Sequence, residues 1–371
     1  MGRFFDLVND PVHALSEYSS AMPVTAAQTD STSAALVKLN ANESPYGPSP
    51  GAVAAMRAAL DSSNWYPDDH SITLRQHLAK AHGVTPQQVL IANGTTSLLG
   101  VIARTLLGPG RNAITSACSF ISYPVVTRAA GATLVETPPL QGGYDLDAIA
   151  AAIEPDTRLV FLANPNNPTG TLVDAAALER FLDQMPAQVI VVLDEAYYDY
   201  AHYFAAQRGI EYSRSLSYPR DERNVVVLRT FSKAHGLAGI RVGYGIGPAE
   251  LMAYFERVQD TFAVSSIAQA AALAAAEDKA HIRFAVENNA TQSHSLAAEI
   301  SKLGYPVIPT WTNFVCIDVG QDAREVARKL RGERVLIRPL GAWGAPTSVR
   351  VTVGTAEQNQ IFLHALQKIS S

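Results

Sequence analysis

The stretch from Arg229 to Gly245, RTFSKAHGLAGIRVGYG, holds a lysine placed where an amine could react. It follows NVVVL, Asn224 to Leu228, an apolar β-branched run with the length of a buried strand. That strand delivers Lys233 into a loop. Thr230 and Ser232 flank the lysine with small hydroxyls, and Arg241 lies a short way downstream. Gly236 and Gly239 interrupt the chain, and a second strand is expected to begin at Ile240, with Arg241 at its start. The lysine can form an imine with an aldehyde, and the arginine and hydroxyls can hold an anion.

In open parallel sheets, ligands sit in the crevice beyond the carboxyl ends of the strands, so the residues just after each apolar run form a natural set. After LIA comes Asn93-Gly94-Thr95-Thr96, opening a helix; after TSA comes Cys118-Ser119-Phe120; after VFLA comes NPNNPTG. After VIVVL come Asp194-Glu195-Ala196-Tyr197, and after VVVL comes the lysine segment. Backbone N–H groups of Thr95 and Thr96 at a helix start, the hydroxyls of Thr230 and Ser232, and Arg241 suit a phosphate monoester. Phe120 offers a flat apolar face. Asp194, buried at a strand end, needs a cation such as a protonated pyridine nitrogen. Asn167 and Tyr197 can donate to a phenolate oxygen. Phosphate, aromatic ring, ring nitrogen, phenolate and aldehyde together describe pyridoxal 5'-phosphate.

The elements that must position these residues can be read from the same pattern. The chain has 371 residues, which suggests about two domains. A composition of 47% hydrophobic and 17% charged residues is that of a soluble globular protein, and no run is long enough to span a membrane. The net charge of -5 and the absence of a basic stripe argue against nucleic acid. Cys118 and Cys316 lie far apart in apolar surroundings, which fits reduced core residues in a cytoplasmic protein better than a disulfide or metal site. MGRFFDLVND does not read as a secretory signal, so the sequons at Asn42, Asn93 and Asn289 carry no expectation of glycosylation.

Residues 1–36, rich in Ser, Thr and Ala, read as an N-terminal arm. From Val37 to about residue 275, near-continuous apolar strands alternate with helices, which predicts a large α/β domain with a mostly parallel sheet sandwiched by helices. Residues 276–371 read as a smaller α+β domain, with the short strands FVCID, VLIRP and SVRVTVG.

From LNANESPYGP to VRVTVGT, with TFSKAHGLAGIRVGY, NPNNPTG and LDEAY as landmarks, the chain resembles the fold-type I, class I/II aminotransferases. Within them it most resembles the histidinol-phosphate aminotransferase branch. The resemblance implies that Lys233 carries the covalent link to the cofactor, that Asp194 pairs with the pyridine nitrogen, and that Tyr197 and Asn167 bind its phenolic oxygen. Phe120 stands where the family usually stacks a tyrosine. Tyr66, in WYPD, matches a tyrosine that reaches the cofactor phosphate of the neighbouring subunit, which implies a homodimer. Arg350 matches the arginine that binds the substrate's acid group; Arg338, Asn42 and Tyr18 are placed with it on the substrate side. Tyr18 stands in SEYS, where the branch usually carries a Pro-Tyr pair.

The activity so implied is transamination from histidinol phosphate to 2-oxoglutarate. Phenylalanine or tyrosine is the alternative donor, because CSFISYP also resembles bacterial aromatic aminotransferases. A decarboxylase on the same scaffold is a further alternative. A cofactor-sensing regulator would need a DNA-binding domain ahead of Val37. Singly, NPNNPTG could be a turn and Asp194 a helix cap. GYGIG lacks dinucleotide-loop spacing and is read as strand-end packing. His235 is expected beside the site or exposed. His70, His77 and His82 are expected at the surface without acidic company, and Arg104 and Arg128 are expected to be solvated.

Overall fold

The computed structural model describes residues 8, 10–13, 15 and 36–370. Tyr18, and with it most of the N-terminal arm, lies outside the described residues. The short strand β1 (Val37–Lys38) opens the continuous part. A seven-stranded sheet follows, built from β2 (Val89–Ala92), β3 (Asn112–Ser116), β4 (Thr133–Thr137), β5 (Thr157–Ala163), β6 (Ile190–Asp194), β7 (Val225–Thr230) and β8 (Gly243–Ile246). Its order is β2-β8-β7-β6-β5-β3-β4. Neighbours from β7 to β4 are parallel, whereas β8 runs antiparallel to both β7 and β2.

The interior strands β5, β6 and β7 are buried along almost their whole length, which is why their sequences are apolar runs and do not alternate. Helices cover the sheet, several of them started by a local signal. Ser49 caps Pro50–Ala59, with proline at the start, and Asp174 and Ser265 cap Ala175–Leu182 and Ser266–Glu277. Gly83, at a φ of 65°, closes Ile72–His82.

Five short strands complete the chain: β9 (Val307–Ile308), β10 (Phe314–Asp318), β11 (Val335–Leu336), β12 (Arg338–Pro339) and β13 (Ser348–Thr352). β12, β13, β10 and β9 form an antiparallel sheet in that order. Its core includes Ile300, Val315, Ile317 and Phe362, and Val37 and Leu39 belong to this core. β1, expected to head the large domain, pairs instead with β11, through Val37 with Val335 and Lys38 with Leu336. The segment after β1 therefore passes from the small sheet toward the large one. The 24-residue helix Lys279–Lys302 packs its Val286 into a cluster with Tyr197, Tyr200 and Phe314.

The strand expected from Ile240 begins three residues later. Arg241 adopts a left-handed φ of 61°, which ends any extended run at that point, and β8 starts at Gly243. GYGIG thus contributes a strand, Gly243–Ile246, to the main sheet.

Candidate active site

One cleft collects the ends of the strands. Thr95, Thr96, Phe120, Asn167, Asp194, Tyr197, Thr230, Ser232, Lys233 and Arg241 all line it, together with Ala41 and Glu43 from the segment after β1. Open space in the cleft amounts to about 800 Å³.

At one end, Gly94 turns the chain from β2 into the helix Thr95–Leu106 with a φ of 83°. A Cβ at Gly94 would lie 2.4 Å from Nη2 of Arg241, so only glycine lets the guanidinium approach the helix start. Arg241 Nη1 donates to Ser232 Oγ at 3.3 Å, and Thr230 Oγ1 donates to Ser232 Oγ at 3.0 Å. A helix N-terminus, two hydroxyls and a guanidinium here form a built anion cradle. Gly236 meets the same demand for closeness: a Cβ there would lie 2.1 Å from the carbonyl oxygen of Gly47.

Asp194 ends β6 and is only 4% exposed. Burial raises its pKa to about 6 despite hydrogen bonds from the Ala196 N–H at 3.2 Å and the Tyr123 hydroxyl at 3.2 Å. Among the described residues it has no ion-pair partner within 4 Å. A carboxylate placed in this way is stabilised by a cation delivered into the cleft. Lys233 has its pKa lowered to about 8, first by burial and then by the positive charge of Arg350. Its amine is therefore far more available as a nucleophile than an exposed lysine's.

Arg350 lies on β13, 6% exposed, and reaches across from the small sheet. Its Nη1 donates to Asn167 Oδ1 and its Nη2 to the Asn40 carbonyl at 3.2 Å. Tying down the Asn167 oxygen turns that side chain's N–H groups elsewhere, and Asn167 lines the cleft. Arg338 on β12 is the direct register partner of Arg350 in the antiparallel pair, so the two side chains share one face of the sheet.

Asn42 is buried with a φ of 56°. Its side chain donates to Tyr197 Oη at 2.9 Å and its carbonyl accepts from Lys233 Nζ at 3.3 Å. Tyr66 does not line the cleft of its own chain: it is 82% exposed and stacks on Phe262 with ring centroids 4.4 Å apart.

NPNNPTG is more than a turn. Asn164 pairs with both backbone groups of Val173, and Asn166 Nδ2 donates to the Cys118 carbonyl at 3.0 Å, joining two strand ends. His82 is half-buried rather than at the surface, with Nε2 at 2.9 Å from Tyr244 Oη, and burial drives its pKa down to about 3. His70 and His77 do have acidic company, Glu256 at 3.0 Å and Glu277 at 3.7 Å. Both partners come from distant sequence, beyond the reach of a spacing argument. His235 lies behind the lysine loop, its ring edge-on to Phe231, and does not line the cleft. Arg104 and Arg128 are exposed on their helices.

Sequence reasoning missed Tyr123, fully buried between Phe120 and Phe161 with its hydroxyl on Asp194. It also missed the pair beneath the site, Arg229 with Glu195 at 2.8 Å, both buried. The signal available for Arg229 and Glu195 was opposite charges in two runs otherwise read as buried strand ends.

The architecture and this cleft define a fold-type I transferase that uses pyridoxal 5'-phosphate, and the anion cradle and the buried carboxylate fit that cofactor. A profile of the family described as "Aminotransferase class I and II" matches residues 34–366. The chain belongs to that family and is a pyridoxal-phosphate-dependent aminotransferase. It is 42% identical over 370 residues to histidinol-phosphate aminotransferase 2 of Pseudomonas fluorescens (strain Pf0-1), covering 99% of this chain and 98% of that protein. It is 40% identical over 361 residues to histidinol-phosphate aminotransferase of Moorella thermoacetica, covering 97% and 92%. Among solved structures, histidinol-phosphate aminotransferase from Sinorhizobium meliloti in complex with pyridoxal-5'-phosphate superimposes with a TM-score of 0.89 at 28% identity over 98% of each chain. Aspartate aminotransferase from Thermus thermophilus with maleate gives 0.80 at 25% identity, over 90% of this chain and 91% of that one.

Proposed function

We propose that this aminotransferase moves the amino group of histidinol phosphate to 2-oxoglutarate, a step of histidine biosynthesis. The observation that carries the reading is the identity of about two in five residues, over nearly the whole chain, with relatives named for that donor. The register pair Arg338–Arg350 supports it from the structure. Like charges directly opposite each other on a sheet face disfavour one another, and an anion between them relieves the repulsion. Histidinol phosphate has no α-carboxylate, so its phosphate and a carboxylate of 2-oxoglutarate take turns on these cations.

In this reading the cradle of Thr95, Thr96, Thr230, Ser232 and Arg241 holds the cofactor phosphate, and Phe120 covers one ring face. Asp194 holds the ring nitrogen in its protonated form, while Asn167 and Tyr197 donate to the phenolic oxygen. The bound cofactor supplies an electron sink that acidifies the carbon bearing the substrate amine. Lys233 would anchor the cofactor, and its amine, once free, would serve as the base and acid that moves the proton from the substrate's amine-bearing carbon. A pKa of about 8 suits it to both halves of that transfer.

Tyr66 completes the phosphate end of the neighbouring subunit's cleft, so the working unit is a homodimer. Its exposure and its stacking on Phe262, itself exposed, support a contact surface there. No described helix is long and apolar enough to cross a membrane, and we place the enzyme in the cytoplasm. We also propose a division into an arm (1–36), a cofactor-binding domain (37–275) and a small domain (276–371), with β1 at the head of the cofactor-binding segment packed into the small domain's core.

The deciding test follows the cofactor's conversion to its amine form in single half-reactions with histidinol phosphate, phenylalanine and tyrosine. Fast conversion with histidinol phosphate is expected; an inert histidinol phosphate beside a fast phenylalanine would replace the donor. Sedimentation of the holoenzyme should give a dimer, and a fully active monomer would remove Tyr66 from the site.

A further inference from the structure

Asn42 is held more tightly than a substrate-contacting side chain needs to be. Ala41 and Glu43, on either side of it, line the cleft, whereas Asn42 is 1% exposed and is not among the lining residues. Its backbone sits in the left-handed region, which asparagine tolerates better than most residues. Thr352, at the end of β13, fixes it twice: the Asn42 N–H donates to Thr352 Oγ1 at 2.9 Å, and that hydroxyl donates to Asn42 Oδ1 at 3.3 Å. The threonine oxygen accepts from the backbone N–H and places its proton on Oδ1, which is the arrangement the amide takes here. Nδ2, a donor only, is the atom that faces Tyr197 Oη at 2.9 Å. The Asn42 carbonyl accepts from Asn313 Nδ2 at 3.1 Å and from Lys233 Nζ at 3.3 Å.

We propose that Asn42 is a positioning residue that sets the hydrogen-bond direction of Tyr197 and holds the amine of Lys233, coupling the small sheet to both. The inference rests on the assignment of Lys233 and Tyr197 to the cofactor. A phenol oxygen that accepts from an amide N–H directs its own proton away from that amide, and Tyr197 lines the cleft. Asn42 thereby makes Tyr197 a donor toward the cofactor's phenolic oxygen. The carbonyl of the same residue accepts an N–H of Lys233, which leaves the nitrogen lone pair to face the reacting carbon. One strained residue, anchored on β13 two positions from Arg350, sets both groups.

The readout is the pH at which the visible absorption of the bound cofactor titrates. In the protonated form the phenolic oxygen is satisfied within the cofactor itself; in the unprotonated form it depends on donors from the protein. A well-aimed Tyr197 therefore favours the unprotonated form and lowers the titration pH, and a misdirected Tyr197 raises it. Asn42→Gly keeps the left-handed backbone and the carbonyl while removing the amide. It should raise the titration pH by roughly half to one unit, with cofactor still bound. Asn42→Asp, acceptor-only, turns the phenol proton back toward itself and should raise it further.

Tyr197→Phe sets the ceiling, and adding Asn42→Gly to it should move the titration no further. A wild-type titration in both Asn42 variants, or a full Asn42→Gly shift persisting in the Tyr197→Phe background, would overturn the inference. Failure of the underlying assignment looks different: Lys233→Ala would then keep the titrating absorption.

Discussion

The two walls of the cleft are built in different ways. On one wall, Thr95, Phe120, Asn167, Asp194, Thr230 and Lys233 each stand within a few residues of a strand of a single buried sheet. Asp194 is itself in register with Ala163 on one side and Leu228 on the other, so moving it means moving three strands. The opposite wall comes from the segment after β1, through Ala41 and Glu43, and is backed by β13 of the smaller core. Hydrogen bonds of Asn42 and Arg350 tie it to the first wall. The difference teaches where specificity can change. A wall of strand ends suits a cofactor whose position must not vary, while the other wall, held through side-chain hydrogen bonds, can be altered without moving the strands. Thermus thermophilus aspartate aminotransferase shares the architecture at a TM-score of 0.80, although it is named for a different substrate.

This contrast can be broken by experiment. The largest effect is expected from Lys233→Ala, which should abolish both turnover and the pH-sensitive visible absorption of the bound cofactor; retention of either removes Lys233 from its role. Arg350→Ala attacks the other wall. It should keep that absorption and raise KM for 2-oxoglutarate by about 1.5–3 kcal/mol, roughly ten- to 150-fold. Unchanged KM would place the acid-binding pocket elsewhere, and loss of the absorption would mean that the walls are not separable.

A smaller effect tests how the walls communicate. On the proposed assignment the neutral amine of Lys233 captures the cofactor, and burial together with Arg350 lowers its pKa from the usual lysine value to about 8. The rate at which the apoprotein captures pyridoxal phosphate should therefore rise with pH, pass half its maximum near pH 8 and level off above that. The cationic Arg350 favours the neutral amine, so Arg350→Gln should move that plateau to higher pH. A plateau that stays in place would show that burial alone depresses the lysine.

The strand-end wall was almost wholly legible in the sequence, because the apolar runs locate the strand ends and a parallel sheet gathers those ends at one crevice. The ten residues read from those runs and from the lysine loop do meet there. Legibility fell where position depends on backbone geometry or on distant partners. Arg241 reaches the anion cradle by a left-handed turn that ends the expected strand, and nothing in IRVGYG announces that turn. Asn42 was grouped with substrate contacts, yet Thr352, far away in sequence, turns it toward Tyr197. β1 was assigned to the large domain because it precedes it; its partner β11 comes some three hundred residues later.

Tyr123 sharpens the comparison at its finest level, since it belongs to the rigid wall and meets the cleft-lining residues through its hydroxyl on Asp194 and its ring against Phe120. Its hydroxyl is one of two groups that donate to a carboxylate whose burial already favours the neutral form. Tyr123→Phe keeps the stacking on Phe161 and the edge contact with Phe120, so the change is confined to one hydrogen bond. Losing that bond costs about 1 kcal/mol and shifts Asp194 further toward its protonated state. A neutral Asp194 holds a protonated ring nitrogen less well. The apoprotein's affinity for pyridoxal phosphate should therefore fall about fivefold at neutral pH, with KM for 2-oxoglutarate unchanged. Equilibrium titration of the apoprotein with the cofactor measures this. An unaltered affinity would mean that the Ala196 N–H alone holds the carboxylate in its working state; a raised KM would mean that the rigid wall also sets the substrate side.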